Sequence, residues 1–307
     1  MAHRRVLIIG STGILGKALI DTHPKDLDMH LTYFRELPQA LNNYSTICLD
    51  VRSEEQMAKA FEWANPETVI HLAGMNSVDF VETNRSLAYA VNVDGTQNVI
   101  NECRRHGSKL IFLSSNAVFC GENPPYDEGS RCLPVNYYGR LKVIAEELVR
   151  KSGLDHVIVR SIMMYGWHYP MARTNLVTNW LDSTEKLRPI QVVNDRYSQP
   201  LFVIDCAFAV WEILKKDKCG IYHIAGPDKV SLHEFALCVA EIFNLKKALI
   251  EAVPSSYFPN LAPRPIDTSF LTCKIKTELQ LQPRDIKTGL AFMKSMSKHV
   301  ENVCKNC

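Results

Sequence analysis

Six short apolar runs, rich in β-branched and aromatic residues, punctuate the first 161 positions: RVLIIG (5–10), HLTYF (30–34), STICLDV (45–51), TVIHLAG (68–74), KLIFLSS (109–115) and HVIVRS (156–161). Longer amphipathic stretches separate them. Strands alternating with helices in this rhythm predict an α/β fold, a Rossmann-type doubly wound parallel sheet. Ser53 is placed to cap a helix over MAKAFEWA, and Ser231 with Glu234 forms a capping-box pattern ahead of LHEFALCVAEIFNL. Beyond residue 161 the prolines at 189, 200, 227, 254, 259, 263, 265 and 283 cut the chain into shorter pieces, with helices expected at about 205–216 and 284–303. The expected organisation is a dinucleotide-binding part over 1–161 with a returning segment near 200–226. A smaller C-terminal α/β substrate-binding region is then built from 162–199 and 227–307.

Charge and length narrow the class. The chain has 307 residues, and 35 Lys and Arg stand against 33 Asp and Glu with no basic block, so a nucleic-acid polymer is a poor candidate partner. MAHRRVLIIGSTGILG has the basic flank and apolar run of a signal peptide, but glycines interrupt it and it reads as the first strand. No apolar run approaches the ~18 residues of a membrane span. The ten cysteines are scattered through apolar segments, where free thiols pack as small hydrophobes, which suits a soluble, cytoplasmic protein. Cys304 and Cys307 have redox or metal spacing but no second pair, so they read as a solvent-exposed tail and no metal site is expected.

The first strand runs into Gly10-Ser11-Thr12-Gly13-Ile14-Leu15-Gly16, a GxxGxxG turn opening a helix. Gly10 would permit the tight turn, Gly13 the approach of a pyrophosphate to backbone, and Gly16 close packing of helix on strand. The anion would sit on free amides at the helix N-terminus. After the second strand come Tyr33-Phe34-Arg35, with no carboxylate to accept ribose hydroxyls. A guanidinium at Arg35 suits a 2′-phosphate, so NADP(H) is favoured over NAD(H), the alternative being a solvated surface arginine. Asp50 could accept from an adenine amino group or could belong to the approach of the next helix.

The fifth strand ends in Leu113-Ser114-Ser115-Asn116, at the carboxyl edge where open α/β sheets bind ligands. Tyr138 and Lys142 follow on one predicted helix, four apart and so on one face. Tyr137 is turned by about 100° from that face. Reduction of a ketone needs a proton donor, and a phenol beside an ammonium answers that need. Ser115 would hold the substrate oxygen. An isolated YxxxK occurs by chance in many chains; here the glycine loop and the strand-end serine accompany it in order.

Together, GSTGILG (10–16), HLAG (71–74), NVDGT (92–96), SSNAVFCG (114–121) and PVNYYGRLKVIAEE (134–147) resemble the extended short-chain dehydrogenase/reductase superfamily across essentially the whole chain. SSNAVFCGENPPYDE, VVNDRYSQP (192–200), GIYHIAG (220–226) and Arg264-Pro265 are most similar to its dTDP-4-dehydrorhamnose reductase family. That resemblance implies Ser115 as the catalytic hydroxyl, Tyr138 as acid/base, and Lys142 on the nicotinamide ribose. It also implies Asn92 as the supporting helix asparagine, with Val51, Leu72, Ala73 and Gly74 flanking the cofactor. Asn116, Val118, Met163, Asn175, Arg196 and Arg264 take the positions of substrate contacts. Two of these depart from the family pattern. Met163 replaces a tryptophan and Arg196 a glutamine, and an added guanidinium fits a phosphate or a more polar sugar. Met163, Met164, Trp167 and Trp180 could equally be ordinary packing.

The implied activity is NADPH-dependent reduction of a nucleotide-linked 4-keto-deoxysugar, with a homodimer as the candidate assembly. Two alternatives stand beside it. One is a non-catalytic NADP-binding regulatory subunit resembling the β subunit of methionine adenosyltransferase, whose Phe-Arg pair is similar to Phe34-Arg35. The other is a nucleotide-sugar epimerase on the same scaffold.

Overall fold

A computed structural model describes residues 4–304, with side chains described through residue 297. All six expected strands form: β1 (Arg4–Ile9), β2 (Leu27–Tyr33), β3 (Ser45–Cys48), β4 (Thr68–His71), β5 (Lys109–Ser115) and β6 (His156–Ser161). Between them run α1 (Ile14–Asp21), α2 (Glu54–Ala64), α3 (Val78–Thr83), α4 (Arg85–Tyr89), α5 (Gly95–His106) and α6 (Tyr137–Lys151). After β6 come β7 (Met164–Tyr165), α7 (Leu176–Glu185), β8 (Ile190–Val193), β9 (Tyr197–Ser198), β10 (Leu201–Phe202), α8 (Val203–Lys215) and β11 (Gly220–Ile224). The chain closes with β12 (Val230–Ser231), α9 (Leu232–Phe243), β13 (Ile250–Val253) and α10 (Ile286–Cys304).

Seven parallel strands make one sheet in the order β11-β6-β5-β4-β1-β2-β3. The strand order reverses between β1 and β4, which opens a crevice at their carboxyl ends. Side chains alternate across the sheet because strand periodicity is two. Val6 and Ile8 join α1 and α8 in one core, while Leu7 and Ile9 join α2, α5 and α6 in the other. Ser53 caps α2 by accepting from the Gln56 amide, and Ser231 and Glu234 close a reciprocal capping box on α9.

The later elements pair in twos. β7 lies parallel to β10, β8 parallel to β13, and β9 antiparallel to β12. The helix expected at 205–216 begins slightly earlier, as α8. Among the described residues no helix is long and apolar enough to cross a membrane, no group of His, Cys, Asp and Glu is placed to hold a metal ion, and eight cysteines are free thiols. The Cys304/Cys307 pair lies outside the described side chains.

Candidate active site

The three glycines of the first turn do different work. Gly10 turns at φ +88°, a conformation L side chains avoid, and an added Cβ would lie 2.7 Å from the Ala73 nitrogen. A Cβ at Gly16 would lie 2.3 Å from the Ser11 carbonyl oxygen. At Gly13 the nearest atom would be 3.6 Å away, an ordinary contact, so the fold leaves room on that side. The loop is fastened to β2: Gly10 N donates to Thr32 Oγ1 (3.1 Å), and Ser11 N and Oγ both donate to the Thr32 carbonyl (3.1 and 2.8 Å). Because Gly13 caps α1 without a side chain, the first-turn amides remain free beside that open flank. This arrangement fits the pyrophosphate of a dinucleotide, with Thr12 and Ile14 half-buried at its edge.

Three of the expected cofactor residues are buried or engaged within the fold. Leu15 and Val51 are buried in the cores, so only their backbones can face a ligand; the Val51 carbonyl already accepts from Asn98 Nδ2 at 3.0 Å. Asp50 lies beyond the end of β3, and Arg52 grips its carboxylate through Nε and Nη2 at 2.5–3.0 Å. That pairing holds the Asp50 carboxyl below its ordinary range. Arg35 is exposed, lies 5.5 Å from the centre of the Phe34 ring, and makes no ion pair among the described residues.

Ser115, Tyr138 and Lys142 are carried by one strand end and one helix. Asn136 caps α6 by accepting from Gly139 N at 2.8 Å, and its amide donates to the Pro263 carbonyl at 2.9 Å. Gly139 is required by contact, since a Cβ there would come within 2.1 Å of the Ala117 carbonyl oxygen beside Ser115. Helix α6 therefore lies close against the end of β5. Tyr138 is 8% and Lys142 7% exposed, whereas Tyr137 is half-buried with Arg85 over its ring at 5.0 Å. Tyr138 thus shares the burial of Lys142, and Tyr137 does not.

The electrostatics differ from the simple expectation that Lys142 lowers the Tyr138 pKa. Burial pushes the phenol up; the Ser115 hydroxyl as hydrogen-bond partner, and then the charge of Arg173, pull it back. Lys142 instead donates to the Leu113 carbonyl at 2.8 Å. Burial lowers its ammonium to about 8, against an upward pull from Glu146. Lys142 is an ammonium below that value and loses its charge as pH rises through it. The alkaline limb of turnover is therefore expected near pH 8 from Lys142, with Tyr138 still protonated. A pH–kcat profile tests this, and a Lys142→Arg variant that still turns over should lose the limb.

Asn92 lies on a π-helical turn, Ala90–Asp94, an uncommon conformation that recurs at functional sites. Its side chain clamps the loop after β4: Oδ1 accepts from Met75 N (2.7 Å) and Nδ2 donates to Met75 O (3.0 Å). Leu72 and Ala73 amides donate to the Ile9 carbonyl, and Gly74 sits against Asn92, where a Cβ would lie 2.9 Å from its Oδ1. Behind this turn, Thr96 Oγ1 donates to the Asn92 carbonyl at 2.8 Å and so must accept from His71 Nε2 at 3.2 Å. Burial holds that imidazole near pKa 3, hence neutral.

A second buried group escaped the sequence reading. Glu146, one turn beyond Lys142, accepts from Arg160 Nε and Nη2 (2.9 and 2.7 Å) and from Ser114 Oγ (2.5 Å). Arg160 also meets His223 Nε2 at 3.3 Å and Cys132 Sγ at 3.2 Å. YxxxKxxxE on a helical face was visible; the partner on β6 was not.

On the substrate side two of the expected residues are tied into the fold. Val118 is wholly buried in the core, so its side chain cannot touch a ligand. Asn175 caps α7 through Oδ1, and its Nδ2 donates to the Gly166 carbonyl at 2.8 Å, which leaves it a structural role. Asn116 Nδ2 donates to Thr268 Oγ1 at 2.5 Å, and Met163 is half-buried against the core. Trp180 is buried and Trp167 donates to the Met293 carbonyl at 2.8 Å, so both are packing residues. Arg264 is held by Asp79 through two hydrogen bonds of 3.0 and 2.6 Å. Arg196 is half-buried, close enough to Arg264 to be repelled by it, and in no ion pair among the described residues.

The fold is that of the NAD(P)-dependent oxidoreductases of the extended short-chain dehydrogenase/reductase class. More narrowly, residues 4–298 match the family described as the RmlD substrate binding domain, and the chain belongs to that family. The spore coat polysaccharide biosynthesis protein SpsK of Bacillus subtilis is 28% identical over 292 residues, covering 93% of this chain and 95% of its own. Methionine adenosyltransferase 2 subunit beta of Xenopus laevis is 28% identical over 273 residues, covering 86% and 77%. Among solved structures, dTDP-4-dehydrorhamnose reductase from Bacillus anthracis in complex with NADP is 28% identical with a TM-score of 0.85, covering 96% of this chain and 100% of that one.

Proposed function

We propose that the chain is a cytoplasmic NADPH-dependent reductase of a nucleotide-linked 4-keto-deoxysugar. The observation that carries this reading is the meeting of buried Tyr138 and Lys142 with Ser115 at the carboxyl end of β5, a set that a pure binding protein does not require. When bound, the reduced nicotinamide supplies the hydride. Ser115 holds the carbonyl oxygen, Tyr138 gives that oxygen its proton, and Lys142 keeps the pocket electropositive. Arg196, in no ion pair among the described residues, suits the diphosphate of a sugar nucleotide. The exposed Arg35, in no ion pair among the described residues, supports NADP(H) over NAD(H), since its guanidinium matches a 2′-phosphate.

The test is a depletion screen over dTDP-, GDP-, CDP- and UDP-linked keto sugars, with NADPH and NADH run in parallel. Oxidation of NADPH in step with product supports the reading. A cofactor retained unchanged through turnover points to an epimerase. The match to the beta subunits of methionine adenosyltransferase, together with the Phe34–Arg35 stack, favours a second reading, an NADP-binding regulatory subunit. Inert behaviour across the whole panel, with stable co-purification of an unrelated enzyme, would select that one.

A further inference from the structure

Between β13 and α10 the C-terminal region sends residues 262–270 back to the end of β5 and the start of α6. The Pro263 carbonyl accepts from Asn136 Nδ2 at 2.9 Å, and the Ile266 and Ser269 carbonyls accept from the Tyr197 and Tyr126 amides, each at 2.8 Å. Phe270 N donates in turn to Gln199 Oε1 at 2.6 Å. Thr268 therefore stands on backbone fixed on both sides, and it is 3% exposed. Its Oγ1 accepts from Asn116 Nδ2 at 2.5 Å, across 152 positions of sequence. The other end of the same amide, Asn116 Oδ1, accepts from Ser115 Oγ at 3.2 Å. Ser115 Oγ itself accepts from Ala117 N at 3.2 Å.

We propose that Thr268 and Asn116 are positioning residues for Ser115: the threonine hydroxyl anchors the Asn116 amide, and the amide oxygen holds the single Ser115 proton until a substrate carbonyl takes it over. The inference deepens the reductase reading and rests on it for its role in turnover.

A serine hydroxyl has one proton to donate. With the Ala117 amide aimed at Oγ and Asn116 Oδ1 taking the proton, the rotamer of Ser115 and the direction of its O–H are both set before substrate arrives. The 3.2 Å bond is long for a hydroxyl donor, so exchanging it for a bond to a carbonyl oxygen costs little, while the 2.5 Å bond behind it stays in place. An oxyanion-type donor works by being oriented in advance, with no reorganisation at the moment of reaction. Asn116 thus acts through its neighbour, and the C-terminal region contributes to the strand end that carries Ser115 through one buried hydroxyl.

The test combines turnover with a measurement that needs no substrate. In Thr268→Val, kcat for nucleotide-sugar reduction should fall about 10-fold, part of the roughly 100-fold for removing an oxyanion donor outright, with KM and the NADPH Kd unchanged. Thr268→Ser, which keeps the hydroxyl, should restore turnover, and in a Ser115→Ala background Thr268→Val should cost nothing more. An equal loss in both backgrounds, or no loss in either, overturns the proposal. Without substrate, the anchor is read in Ser115→Cys through the pH dependence of iodoacetamide alkylation at position 115, resolved by peptide mass spectrometry. An acceptor facing the thiol favours its neutral form, and the thiolate is the species that reacts. Adding Thr268→Val should therefore lower the alkylation midpoint by about half a unit or more. An unmoved midpoint also overturns the proposal. A lowered midpoint together with an inert nucleotide-sugar panel would retain the anchoring of position 115 while removing the reductase reading.

Discussion

Tyr138→Phe is expected to lower kcat at least about 100-fold, or about 2.7 kcal/mol of transition-state stabilisation, with cofactor affinity retained. The magnitude follows from the role. The substitution removes one hydroxyl and leaves the ring, so the packing of Tyr138 against Val81, Ala88, Val93 and Leu141 stays in place. What disappears is the only buried phenol on the face shared with Lys142. The alkoxide then has to take its proton from water, which a pocket with Tyr138 only 8% exposed admits poorly. NADPH oxidation at saturating substrate measures the loss, and titration of bound NADPH measures the cofactor. Turnover within a few-fold of wild type would remove Tyr138 as the donor.

The parts of this site that were legible in the sequence are those fixed by local geometry. GxxGxxG after an apolar run specified the loop, and the structure shows why two of its glycines cannot change: the φ of Gly10 and the 2.3 Å contact at Gly16. The spacing of Tyr138 and Lys142 is a property of one helix. The capping serines Ser53 and Ser231 are equally local. Side-chain destinations across long sequence separations were not readable. Val118 occupies a position in a motif, yet whether it faces the core or the cleft depends on the turn after β5. Asp50 and Asn175 turned out to serve Arg52 and the start of α7. Asp79 and Arg264, and likewise Arg173 and Asn76, meet only because the chain returns from the C-terminal region to the cleft.

Glu146→Gln is expected to destabilise the protein by about 3 kcal/mol, the lower end for breaking a buried ion pair. The carboxylate is wholly buried and Arg160 is 1% exposed, so the variant leaves a guanidinium in the core facing a neutral amide and His223. Protonation of His223 cannot help, because its Nε2 already faces the Arg160 donor and burial holds its pKa near 3. A double variant, Glu146→Leu with Arg160→Met, should recover part of the loss, since it removes both charges together. The same substitution has a functional consequence with a definite sign. Glu146 pulls the Lys142 pKa upward against burial, so its neutralisation lets that value fall below about 8. The alkaline limb of turnover should then move to lower pH in Glu146→Gln, at temperatures where the variant is folded. Denaturant titration reads the first effect and a pH–kcat profile the second. A stable variant with an unmoved limb would show that Glu146 neither holds the catalytic helix to β6 nor sustains the charge on Lys142.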